Sequence, residues 1–203
     1  MNVEQIKEMY IKNPGKYIGK HKVYGILVPL VEKGDKLFVL FEERADDLGS
    51  QPGEICFPGG RIENDEKVRE GIIRETCEEL EIISSDIEII VKGDMLHRYL
   101  NANIYSYIGM IDSKIDFDSI SNSEVKKIHL IELDELMSAK VEFYSTKIGP
   151  FNIEDFPYEK IGYTHYDQWM YREWDVPIIK CSGIIIWGLT AKFLLELLWR
   201  INE

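Results

Sequence analysis

The residues best suited to chemistry lie between Phe57 and Ile82, FPGGRIENDEKVREGIIRETCEELEI, where two glycines precede a cluster of glutamates. Five residues separate Gly60 from Glu66, seven separate Glu66 from the pair Arg74 and Glu75, and two separate that pair from Glu78 and Glu79. On a helix turning about 100° per residue, Glu75, Glu78 and Glu79 stand at i, i+3 and i+4 and share one face. Like charges at that spacing repel by roughly a few tenths of a kcal/mol per pair, so the cluster calls for a compensating cation. Carboxylate oxygens with no nearby Cys or His pair suit a hard divalent ion such as Mg²⁺ or Mn²⁺. The opposite face, Ile73, Thr76, Cys77 and Leu80, is expected to pack on a sheet. Gly59 and Gly60 open backbone angles closed to other residues and allow a sharp turn beside a bound phosphate.

This spacing resembles the Nudix box, and the chain is similar to the Nudix hydrolases, which cleave nucleoside diphosphates linked to another moiety. The resemblance implies an α/β (α+β) fold, with a mixed β-sheet sandwiched between helices in an α-β-α arrangement. It also implies hydrolysis of a pyrophosphate by water attack at phosphorus, with Mg²⁺ or Mn²⁺ as cofactor. By position in the box, Glu75 and Glu79 are the leading metal ligands and Glu78 a further ligand or a base. Arg74 orients a carboxylate through a charge-assisted hydrogen bond. Glu66 either binds metal through water or is a first-turn acid favoured by the helix dipole. Glu75, Glu78, Glu79 and Arg74 are thus the expected catalytic set, and Arg44, Arg61, Gly59 and Gly60 the expected substrate-binding set. Glu124 is a candidate base outside the box, against a reading as a surface acid, and His97 and Arg98 are further options for holding phosphates. The box departs from its pattern at Glu81, where Gly is usual, so the helix ends without the residue that best adopts a left-handed cap.

Upstream, the chain is similar to Nudix enzymes that hydrolyse coenzyme A. Arg44 near a strand end is followed by a loop and then by Gly53-Glu54-Ile55-Cys56 leading into Phe57-Pro58-Gly59-Gly60. Gly49 stands where that signature has a second Arg, and Gln51 where a His is common. The C-terminal Ile186 to Leu198 is similar to the closing helix of the same enzymes, with plain core packing as its alternative. If coenzyme A is the substrate, the products are 4′-phosphopantetheine and adenosine 3′,5′-bisphosphate. ADP-ribose, a dinucleotide or another nucleoside diphosphate derivative is the alternative substrate. A non-catalytic nucleotide-binding module of the same fold is a third reading, against which the full set of box acids speaks. The resemblance also allows a homodimer.

A single domain over residues 1–203, with a core of about residues 22–200 and a short N-terminal helix before it, would position these groups. Hydrophobic content of 45% and charged content of 30% suit a globular protein. A net charge of −12 argues against a general nucleic-acid or anionic-membrane surface and repels an anionic substrate, so metal ions and local Arg and Lys must overcome that field. Cys56, Cys77 and Cys181 have no zinc-site spacing and are expected to be reduced and mostly buried. The first ten residues do not resemble a signal peptide, and Ile184 to Trp199 carries Lys192 and Glu196 and is too short to span a bilayer, so a cytoplasmic location is expected.

Apolar periodicity predicts a helix over Val3 to Lys12, packed on the body and stopped by Asn13-Pro14-Gly15. Strands are expected over Val23 to Val31, with Pro29 marking an edge or bulge, and over Lys36 to Glu43 after a Gly34-Asp35 turn. Arg44 to Pro52 should be a loop and Glu54 to Phe57 a short extended piece. Beyond the box, strands are expected at Ile87 to Val91, Leu96 to Ile111, Glu124 to Leu133 and Ile178 to Ile186, with a short helix over Asp134 to Lys140. Val141 to Pro177 reads as irregular and aromatic, fitting strands and loops over a pocket or plain core packing. Gly188 to Ile201 reads as an amphipathic helix.

Overall fold

The computed structural model describes residues 2–13, 19, 21–98, 101–149, 158–162 and 172–203. The expected α+β class, sheet strands flanked by helices, is what it shows. Chain contacts divide it into two compact units, Met1–Leu27 with Pro58–Ile111, and Val28–Phe57 with Asp112–Glu203.

The first unit opens with α1 (Val3–Lys12), started by an Asn2 and Gln5 capping box. None of its residues is buried, so its apolar stripe of Val3, Ile6 and Met9 does not pack on the body as the sequence suggests. Strand β1 (Lys22–Lys33) begins in this unit and continues into the second. Pro29 falls between the stretches of β1 that pair with β4 and with β2, Tyr24–Ile26 and Leu30–Lys33, so the missing N–H interrupts neither of those two ladders. The box helix α2 (Val68–Leu80) buries Gly71, Ile72, Thr76, Glu79 and Leu80. Its core face is therefore centred on Ile72 rather than Ile73, and Ile73 and Cys77 remain half-exposed. Gly25 is the reason α2 can approach: a Cβ there would overlap the Ile72 side chain. Glu81 takes the left-handed cap with φ 54°, so the helix ends in the shape a glycine would give but with a strained residue. Strands β5 (Ile87–Arg98) and β6 (Ala102–Ile111) form an antiparallel hairpin. The single strand expected over Leu96 to Ile111 is thus broken, with Asn101 at φ 53° in the connection.

In the second unit, β2 (Lys36–Arg44) is central. It pairs with β1 at Val39–Lys36, with β3 (Ile55–Cys56) at Glu42–Glu43, and with β7 (Val125–Glu132) along most of its length. A short helix α3 (Leu133–Ser138) follows β7. Strands β8 (Val141–Ile148), β9 (Arg172–Cys181) and β10 (Ile184–Trp187) make a three-stranded antiparallel sheet. Strand β8 was hidden in the aromatic stretch, and the one strand expected over Ile178 to Ile186 is a hairpin turning at Ser182-Gly183. Glu135 of α3 pins that turn, accepting from the Ser182 amide, its hydroxyl and the Cys181 thiol. Helix α4 (Gly188–Ile201) has the predicted bounds and buries Ala191, Phe193, Leu194, Leu195 and Leu198. Its Lys192 ammonium sits 3.7 Å from the centre of the Trp174 ring. Much of the aromatic stretch, residues 150–157 and 163–171, lies outside the described residues.

Candidate active site

Strand β4 (Gly59–Arg61) lies against β1, with Gly59, Gly60 and Arg61 opposite Ile26, Gly25 and Tyr24. The two glycines serve different ends. At Gly59, φ is 143° and a Cβ would run into the Gly25 carbonyl and the Ile26 Cα, so only glycine lets the two backbones come this close. Its N–H donates to Glu79 Oε2 at 2.7 Å, tying strand to helix. At Gly60, a Cβ would occupy the space of the Glu75 carboxylate. Gly60 therefore makes the room in which Glu75 sits, while Gly59 brings the strand close to β1 and holds Glu79 through its N–H.

Arg74 is the hub of the remaining acids. Its Nε and Nη2 donate to the two oxygens of Glu66 at 3.0 and 3.1 Å, a bidentate pair. Its Nη1 donates to Glu75 at 3.0 Å and to Glu78 at 3.3 Å, and its Nη2 to the Arg61 carbonyl at 3.4 Å. The repulsion read from the acid spacing is thus met within the chain by a guanidinium. Hydrogen bonds from Arg74 and from the Glu63 N–H hold the Glu66 carboxyl below its ordinary range. The same carboxylates, Glu66 first, hold Arg74 still more firmly charged. Gly71 leaves the space that the Glu66 carboxylate fills.

Glu66, Arg74, Glu75 and Glu78 are thereby gathered into one network, with Glu79 beside it and joined to Gly59. Glu79 is only 6% exposed, whereas Glu78 faces solvent. Arg61 contributes its carbonyl to the network while its side chain is exposed. His97 lies in the same unit on β5, its Nδ1 2.6 Å from Asn103 Oδ1 and its ring tilted against His21. Among the described residues no three acidic, His or Cys side chains are gathered as a metal-binding group. The donor set nonetheless fits a hard divalent ion: all-oxygen carboxylates, two in glycine-cleared space, and three within reach of one cation, the Arg74 guanidinium.

Arg44 belongs to the second unit, at the end of β2. Its N–H donates to the Glu54 carbonyl and its own carbonyl accepts from the Gly53 N–H, so Arg44 closes the loop that runs to Gly53. Glu124 is exposed, and its carbonyl accepts from the Ala45 N–H. Sequence reasoning missed Glu42 in this unit, a carboxyl only 1% exposed. Burial is the main cause that pushes it up to about 7, against opposing effects from Cys56 and Arg44. The signal was there: in LFVLFEER one of two adjacent acids must point to the buried side of a strand.

Residues 20–149 match the family model of the NUDIX domain, well over half of the chain. The chain belongs to the Nudix family. It is 28% identical over 181 residues to Nudix hydrolase 3 of Caenorhabditis elegans, covering 87% of this chain and 72% of that protein. It is 30% identical over 132 residues to the peroxisomal coenzyme A diphosphatase NUDT7 of Mus musculus, covering 62% of this chain and 52% of that one, so the match spans about half of the mouse protein. Among solved structures, a MutT/nudix family protein from Enterococcus faecalis aligns with a TM-score of 0.50 at 14% identity, covering all of this chain and 69% of that one, a likeness of fold. The protein is accordingly a Nudix pyrophosphohydrolase, of a family that acts on small nucleotide substrates and generally depends on divalent metal. No helix among its described residues is long and apolar enough to cross a membrane.

Proposed function

We propose that this Nudix hydrolase cleaves the pyrophosphate bond of coenzyme A or its derivatives, giving 4′-phosphopantetheine and adenosine 3′,5′-bisphosphate. The observation that carries the reading is the Arg44 to Gly60 stretch, whose first and last elements match the coenzyme A signature and whose loop is closed by the Gly53 N–H on the Arg44 carbonyl and the Arg44 N–H on the Glu54 carbonyl. The similarity to a protein named as a coenzyme A diphosphatase supports it. In this reading Arg44 and Arg61 contact substrate phosphates, and the turn at Gly59 and Gly60 lets the backbone approach them. Glu75, Glu78, Glu79 and Glu66 would hold Mg²⁺ or Mn²⁺, which when bound neutralises charge on the diphosphate and lowers the pKa of water from about 15.7 towards 7. Arg74 sets the orientation of Glu66, Glu75 and Glu78, and the Gly59 N–H sets that of Glu79. Glu78, the most exposed of the box acids, is in this reading either a further ligand or the base.

Mass-spectrometric analysis after incubation with coenzyme A and Mg²⁺ or Mn²⁺ tests the reading, because the two expected products fix both reaction and cut site. Gly49 and Gln51, where the signature has Arg and His, favour a second reading in which ADP-ribose or a dinucleotide is the substrate. Faster turnover of those compounds than of coenzyme A would replace the first reading with the second.

A further inference from the structure

Glu42 and Arg44 stand two residues apart on one face of β2. Glu42 is flanked on both edges of its strand, by Cys56 of β3 and by Ile128 of β7, which is why an acid is buried there. Its Oε1 accepts from the Cys56 thiol at 3.1 Å. Its Oε2 and the Arg44 Nε are both buried without a hydrogen-bond partner among the described residues. An acceptor and a donor of opposite charge thus share a strand face without pairing to each other. The charged and titratable groups that bear on Glu42 are Cys56 from β3, Arg44 from its own strand and Glu124 from the chain entering β7. Glu43, with Lys126 and His129 as its partners, points to the other face.

We propose that Glu42 is a positioning residue whose protonation state governs how strongly Arg44 holds an anionic phosphate. With Glu42 neutral, the guanidinium is available to the anion. With Glu42 ionised, the guanidinium is drawn to the carboxylate and the anion meets a buried negative charge behind it. Because burial already pushes the carboxyl up to about 7, both states are populated near neutral pH. Linkage makes the effect reciprocal: an anion on Arg44 draws a proton onto Glu42, and affinity falls as pH rises through neutrality. The inference rests on the reading of Arg44 as a phosphate contact.

The test is calorimetric titration of the whole 203-residue protein with inorganic pyrophosphate, the charged group common to the candidate substrates, from about pH 6 to about pH 8.5. Wild type should lose roughly fivefold more affinity across that range than Glu42→Gln, the low end of coupling between interacting sites. Arg44→Met should bind weakly throughout, without the excess loss. Matching pH profiles for wild type and Glu42→Gln, with Arg44→Met weakened, overturn the inference and leave the Arg44 reading standing. Undiminished binding by Arg44→Met overturns both. If Glu42→Gln does not fold, proton uptake on binding, compared between wild type and Arg44→Met in buffers of different ionisation enthalpy, decides: equal uptake overturns the inference.

Discussion

Replacing Glu42 by Gln should change how stability depends on pH, and the size of that change follows from burial. The carboxyl moves from 4.5 to about 7 on folding, and at about 1.4 kcal/mol for each tenfold change in proton affinity this amounts to about 3 kcal/mol. The folded chain holds this proton more tightly than the unfolded chain. Its contribution is therefore fully present below pH 4.5 and is lost as pH rises through about 7, the reverse of a salt-bridged acid. Gln keeps the shape, accepts the Cys56 thiol and never ionises. Urea unfolding of both proteins at several pH values from about 5 to about 8.5 isolates the effect, because every other titrating group cancels in the difference. The variant should gain on wild type as pH rises, approaching about 3 kcal/mol at the alkaline end. Two stability curves that run parallel across this range refute the reasoning.

Glu79→Gln should reduce metal-dependent hydrolysis at least about a hundredfold while leaving the unfolding midpoint near that of wild type; near-normal turnover in a coupled phosphate assay argues against its role. Gly59→Ala should destabilise the protein by about 3 kcal/mol or more, since positive-φ strain and overlap with the β1 backbone add; a denaturant midpoint close to wild type contradicts that. Glu66 is held below the ordinary carboxylate range by Arg74, so its stabilisation is present above that range and fades as pH falls. Arg74→Met should therefore begin acid unfolding at higher pH, and an unmoved acid transition followed by circular dichroism excludes this coupling.

How much of this was legible in the sequence depended on whether spacing alone decides the geometry. The box acids could be found because i, i+3 and i+4 on a helix must share a side, and α2 and α4 could be placed because their apolar periods run unbroken. Spacing did not say how that side is oriented, so burial of Glu79 and the shift of the core face to Ile72 emerged only from packing. The cation called for by the acids was legible, but not that Arg74, inside the cluster, meets part of the demand. Strand ends were poorly marked: apolar residues on both sides of Asn101 hid a hairpin, and aromatic density hid β8 because it lacks a period. The apolar stripe of α1 predicted packing, yet amphipathicity specifies a face and not what covers it. Substrate choice stayed open for a related reason. In the proposed reading it depends on Arg44 and its loop, where a match of residue types says little about which phosphate is held.

The last turn of α2 is subject to two opposed influences. Glu81 ends it in a left-handed conformation that a side chain adopts at a cost of roughly 1 kcal/mol, which favours fraying. The Gly59 N–H grips Glu79 within that same turn, which resists it. Any opening of the turn must release that amide to solvent, so the hydrogen-exchange rate at Gly59 is a direct readout of how often the box helix lets go of a carboxylate. Glu81→Gly, by relieving the cap, should slow exchange at an amide more than twenty residues away in the chain.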